Sequence, residues 1–127
     1  MMVIDTNILV RLLVGDEPAQ TERAAVLFSK ESIYIPKTVL LETEWVLRYS
    51  YQLTTSVILV AFHNVLGLAQ VTVEDNSAVV TALLWYEQGM DFADSLHLAS
   101  SGEADGFATF DTRLEKYAGK QSRVLLV

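Results

Sequence analysis

The sequence contains no cysteine, and that removes several chemistries at once. A disulfide framework, a thiolate nucleophile and a Cys-ligated metal site are all excluded, and nothing in the chain requires an oxidising compartment. A cytoplasmic setting is the expectation. Proline is nearly as scarce, with two in 127 residues, and no repeat, low-complexity tract or linker interrupts the chain. One domain spanning residues 1–127 is therefore expected, and at 51% hydrophobic residues it has enough apolar material for a core. Long hydrophobic runs are missing too. The longest, "VILVAFHNVLGLA" at 57–69, is broken by His63 and Asn64 and is shorter than the roughly 20 residues that span a bilayer. The amino terminus lacks a basic segment before its apolar run and meets Asp5 at once, unlike a secretory signal. Basic residues are in deficit, 9 against 16 acids, for a net charge of −7. That balance argues against a nucleic-acid partner, whose phosphates are usually met by Lys and Arg, unless some of the acids hold cations.

What is present is an alternation of short apolar runs with longer helical patterns. "MMVI" reads as a first strand, apolar enough to be expected buried, followed by a helix whose face is Ile8, Leu9, Val10, Leu12 and Leu13. Gly15 marks a turn, and "GDEPAQTERAAVLFSKE" continues as a second helix with Glu17 and Pro18 in its first turn. "SIYIP" is a second strand and "KTVLLETEWVLRYSY" a third helix. "TTSVILVAFHNVLGL" is a fourth helix capped by Thr54 or Thr55, "QVTVED" a strand, and "NSAVVTALLWYEQG" a fifth helix closed by Gly89. "MDFADSLHLASSGEA" is a sixth helix, "DGFATFD" a strand, "TRLEKYAG" a short helix and "SRVLLV" a last strand. This order predicts an α/β fold, a three-layer α/β/α sandwich around a short-stranded, mainly parallel sheet. The two tryptophans and most other aromatics sit at core spacing.

The carboxylates are the chemically informative residues. Asp5 and Asp111 each follow an apolar strand, at the carboxyl edge where α/β folds place their sites. Asp5 also suits a helix cap. Glu42 lies among Val39, Leu40, Leu41, Trp45, Val46 and Leu47, where a charge is costly to bury without compensation, and Glu44 can point the other way, outward; the alternative for Glu42 is a solvated face of the helix. Asp91 and Asp94, three residues apart, share one helical face. Asp91 resembles one end of a capping box, and Asp94 suits the positive end of a helix. His97 could assist chemistry, although a histidine between two leucines is more often structural, and His63 offers less. Thr109 shares the strand face of Asp111 and could hydrogen-bond a ligand carboxylate. Acids packed together repel unless they share protons or a cation, and an all-oxygen set selects hard ions such as Mg²⁺ or Mn²⁺. The reaction best suited to such a site is phosphodiester hydrolysis by a metal-activated water.

Four segments, "VIDTNILV", "VLLETEWVL", "DFADSLHLA" and "FATFD", resemble in order and spacing the PIN-domain ribonucleases, in particular the VapC-type toxins of toxin–antitoxin pairs. The resemblance covers essentially the whole chain. It implies an acidic quartet at Asp5, Glu42, Asp94 and Asp111, acting as catalytic residues and metal ligands, with Asp91 as an accessory acid and Asn7 and Thr109 as supporting polar residues. Ser95 stands where alanine is commoner. The resemblance further implies RNA cleavage with Mg²⁺ or Mn²⁺, a homodimer, and inhibition by a VapB-like antitoxin. Arg11, Lys37, Arg48 and Arg113 lie near the motifs and are candidates for meeting RNA phosphates, although scattered basic residues are commonly just solvated.

Two rival readings belong to other classes. A phosphoacceptor signalling domain also has this length and a Mg²⁺-binding acid pocket, but it needs an aspartate in mid-chain, and residues 50–70 contain neither an acid nor a lysine. A PIN-like module that binds without catalysing keeps the fold and is separated from an enzyme only by assay.

Overall fold

A computed structural model describes residues 1–118 and 123–127, which form two compact units, Met1–Asn76 and Ser77–Val127. The first unit runs β1 (Met2–Val3), α1 (Thr6–Val14), α2 (Pro18–Lys30), β2 (Ile33–Ile35), α3 (Lys37–Tyr49), α4 (Thr55–Leu66) and β3 (Val71–Val73). The second contains α5 (Asn76–Glu87), which starts at the boundary, then α6 (Phe92–Ala99), β4 (Phe107–Thr109), α7 (Thr112–Ala118) and β5 (Val124–Leu126). Gly119 and Ser122, expected to extend the last helix and strand, lie outside the described residues. No described helix is long and apolar enough to cross a membrane.

Every strand pairing is parallel, as the alternation of elements predicts. In the first unit the order is β1-β2-β3, with Met2 opposite Ile33 and Ile33 opposite Val71; in the second, β4 pairs with β5, with Phe107 opposite Val124. The fold is the expected α/β type, with seven helices among the described residues.

Local chemistry sets the element ends. Gly15 adopts φ 72° and donates its N–H to the Arg11 carbonyl at 3.0 Å, ending α1 in the left-handed conformation that glycine takes without strain. Pro18 opens α2 where no amide donor is needed, and Glu17 accepts from Ala19 N and Gln20 N. Pro36 precedes α3 and offers no side-chain cap; Glu74, just beyond β3, accepts from Lys37 N at 2.9 Å instead. Thr54 rather than Thr55 caps α4. The sixth helix is shorter than its sequence pattern, ending at Ala99: Ser101 folds its hydroxyl back onto the Leu98 carbonyl, and Gly102 turns the chain at φ 60°.

The first unit buries Leu9 and Val10 of α1, Phe28 of α2, Ile33 and Ile35 of β2, and Leu40 and Leu47 of α3; α1 packs against both α2 and α3. Each such side chain contributes about 1.5–3 kcal/mol by leaving water. In the second unit Met90, Leu98 and Leu114 form a small core flanked by Trp85, Phe107, Ala118 and Val124.

Two expectations about burial are corrected. The first strand is not buried: Met2 and Val3 are exposed at the sheet edge, and only Ile4 turns inward. Trp45 is half exposed, and Tyr49, Phe110 and Tyr117 are exposed as well, because helical periodicity turns 45 and 49 away from the face that carries Leu40 and Leu47.

Candidate functional site

In the first unit the candidate residues start where β1 ends. Asp5 is the N-cap of α1, extended at φ −84° and ψ 163°, and its Oδ1 accepts from Thr6 N at 2.7 Å. Thr6 itself is buried, and its hydroxyl donates to Glu42 Oε1 on α3. A single threonine thus holds both expected acids of this unit, one through its backbone and one through its side chain. The family resemblance points to Asn7 rather than to Thr6 as a supporting residue. The available signal was a polar, β-branched residue at the first helical position, ahead of a wholly apolar face.

Glu42 is exposed, while Glu44 is the buried carboxylate of the pair, at 1% exposure. The expectation that Glu44 turns outward is therefore reversed. Residues 40, 43, 44 and 47 share the inward face, and neighbours close in sequence are not neighbours on a helix. Arg48 compensates Glu44 at 2.7 Å and lies 4.5 Å over the Tyr49 ring, and the carboxylate hydrogen bonds hold its guanidinium more firmly protonated than usual.

In the second unit Gly89, at φ 108°, turns the chain from α5 into α6, where Asp91 caps the helix by accepting from Asp94 N at 3.1 Å. Asp111 follows β4 and caps α7, accepting from Arg113 N at 2.8 Å and Leu114 N at 3.3 Å. The Thr109 hydroxyl accepts from Asp111 N at 3.0 Å and so supports the backbone of that acid rather than a carboxylate. Asp91, Asp94 and Asp111 line one cavity of about 270 Å³ together with Arg113 and Tyr117. Burial raises the half-buried Asp94 carboxyl above its ordinary value; the charges of Asp91 and Asp111 raise it further, and His97 opposes them.

The four basic candidates differ. Lys37 pairs with Asp75 at 3.2 Å, and Arg48 is committed to Glu44. Arg113 is exposed on the rim of the acidic cavity, and Arg11 lines a separate cavity in the first unit. None of Asp5, Glu42, Asp94 or Asp111 is engaged in an ion pair among the described residues.

Among the described residues no three His, Cys, Asp or Glu side chains stand grouped as they would around a bound metal ion. The donor chemistry nevertheless suits a hard cation. Every candidate ligand is a carboxylate oxygen, the donor type that Mg²⁺ and Mn²⁺ take.

Carboxylates set just beyond parallel strands and at helix starts lie where α/β folds bind their ligands. The PIN-domain family model matches residues 2–120, and the chain belongs to that family. PIN domains are in general nucleases that bind RNA and typically use divalent metals. No curated protein and no solved structure matches the chain.

Proposed function

We propose that the chain is a Mg²⁺- or Mn²⁺-dependent endoribonuclease that hydrolyses RNA phosphodiester bonds with Asp5, Glu42, Asp94 and Asp111. The observation that carries this reading is the family match through both units, with all four acids inside it and none neutralised by an ion pair. These carboxylates would hold the cation, which when bound neutralises charge on the phosphate and acidifies the attacking water. The residues of the chain do the rest. Thr6 fixes the Glu42 oxygen and the Asp5 cap, so neither acid must reorganise on binding. Asp94 lines one cavity with Asp91 and Asp111. Thr109 holds the Asp111 backbone.

The finer reading is a cytoplasmic VapC-type toxin, acting as a homodimer and silenced by a VapB-like antitoxin; the order of the four motifs supports it. One observation favours the rival reading of an inert binding module. Asp5, Asp91 and Asp111 each cap a helix, so folding alone accounts for their presence.

The deciding experiment incubates the purified protein, freed of co-purifying partners, with transfer, ribosomal and messenger RNA in Mg²⁺, Mn²⁺ or EDTA, beside Asp5→Asn. Discrete cleavage that needs the metal and drops at least 100-fold in Asp5→Asn is the expected result. Absence of cleavage in every lane, with no metal binding by calorimetry, selects the binding module.

A further inference from the structure

The first unit carries a second cavity that the carboxylates do not explain. It measures about 390 Å³ and is lined by Asn7, Ile8 and Arg11 of α1 and by Gln20, Arg23 and Ala24 of α2. No carboxylate lines it, although acids outnumber bases 16 to 9 in the whole chain. Arg11 is built into the wall. Its Nε donates to Gln20 Oε1 at 2.7 Å, and its Nη1 donates to Tyr51 Oη at 3.0 Å and approaches Asp16 Oδ1 at 3.4 Å. Tyr51 in turn donates to Asp16 Oδ2 at 2.7 Å, closing the ring of contacts. The Nη2 amine makes no hydrogen bond among the described residues. Across the cavity Arg23 is exposed, with neither an ion pair nor a side-chain hydrogen bond among the described residues.

A guanidinium oriented by three side chains with one amine left over is preorganised for an oxyanion, and two arginines facing one space gain most from a ligand with several charged oxygens. Asp16 offsets part of the Arg11 charge from behind, and Arg23 has no such offset. We propose that this cavity binds a backbone phosphate of single-stranded RNA, with Arg11 and Arg23 as its ligands. The choice of RNA as the source of the phosphate rests on the nuclease reading above. The oxyanion site itself does not.

The test is anisotropy of a short fluorescein-labelled single-stranded RNA in EDTA, where binding is read without cleavage, at salt from about 50 to 200 mM. Arg23→Gln, an exposed change that leaves the fold intact by circular dichroism, is expected to weaken binding about 3- to 10-fold. It is also expected to flatten the log–log salt slope by about 0.7, the loss of one phosphate contact. Arg11→Lys keeps the charge and loses the fork, so it weakens binding while the slope stays. An Arg23→Gln variant with unchanged affinity and slope, or a wild-type protein that does not bind the RNA, overturns the site. Cleavage by the wild type with an unaltered Arg23→Gln isotherm would sink the phosphate site and keep the nuclease. An Arg23→Gln defect in a protein that never cleaves would do the reverse.

Discussion

Replacing Asp91 by asparagine separates two roles of one side chain. Asparagine caps a helix as well as aspartate does, so α6 keeps its start while the negative charge beside Asp94 disappears. The Asp94 carboxyl, raised by burial and by Asp91 and Asp111, is then expected to titrate at lower pH; carbon-detected NMR of the Asp94 side chain reads the change, and an unmoved titration refutes it. The sign for stability follows from linkage. A carboxyl raised in the folded state contributes stability that is fully present below its unfolded value of about 3.9 and is lost as pH rises through the raised value, so Asp91→Asn trims that loss. Thr6 permits a second separation. Thr6→Val keeps shape and the backbone bond to Asp5 but removes the donor to Glu42, and is expected to lower Mn²⁺ affinity several-fold, with Thr6→Ser restoring it. Calorimetry showing equal affinity in Thr6→Val would assign Thr6 to packing alone.

Within α3, two glutamates two positions apart have opposite consequences. Glu44→Gln strips a buried carboxylate from Arg48 and is expected to cost about 1–3 kcal/mol in urea unfolding, the lower part of the range for buried pairs because Arg48 is partly open to water. Glu42→Gln is expected to leave the urea midpoint within about 0.5 kcal/mol of wild type and to abolish cleavage. A reversed pair of results would mean that the two side chains had been assigned to the wrong faces. The same helix shows what the sequence disclosed. The helix itself, its start after Pro36 and its apolar character were legible, because proline and hydrophobic spacing act locally. Which glutamate faced inward was not, because "LLETEWVL" offers apolar neighbours on both sides of either residue, and only the pairing of Glu44 with Arg48 four residues on makes burial affordable. The overlong sixth helix failed for a similar local reason, since "SSGE" competes for backbone bonds through its hydroxyls and a left-handed glycine.

At the scale of the whole chain, a ligand that binds only the folded state raises the melting temperature by mass action, by about 2.7 kcal/mol at a hundredfold excess over its dissociation constant. Mn²⁺ is expected to raise the wild-type melting temperature by several degrees and to leave Asp5→Asn close to its metal-free value, as differential scanning fluorimetry would show. Equal shifts in both proteins would point to ions on the acidic surface rather than at the carboxylates. The parallel strands were readable because short apolar runs alternate with helical patterns along the chain. The arginine-lined cavity was not, since it joins residues of two helices and a tyrosine 40 positions from Arg11, which no local pattern announces. The triple use of aspartate as a helix cap has an evolutionary consequence. At Asp5, Asp91 and Asp111 a single base change from an aspartate to an asparagine codon would disarm the charge and spare the cap. A lineage freed from selection for activity would lose its chemistry long before its shape, and inert descendants of such a protein would be hard to tell from working ones by stability or expression.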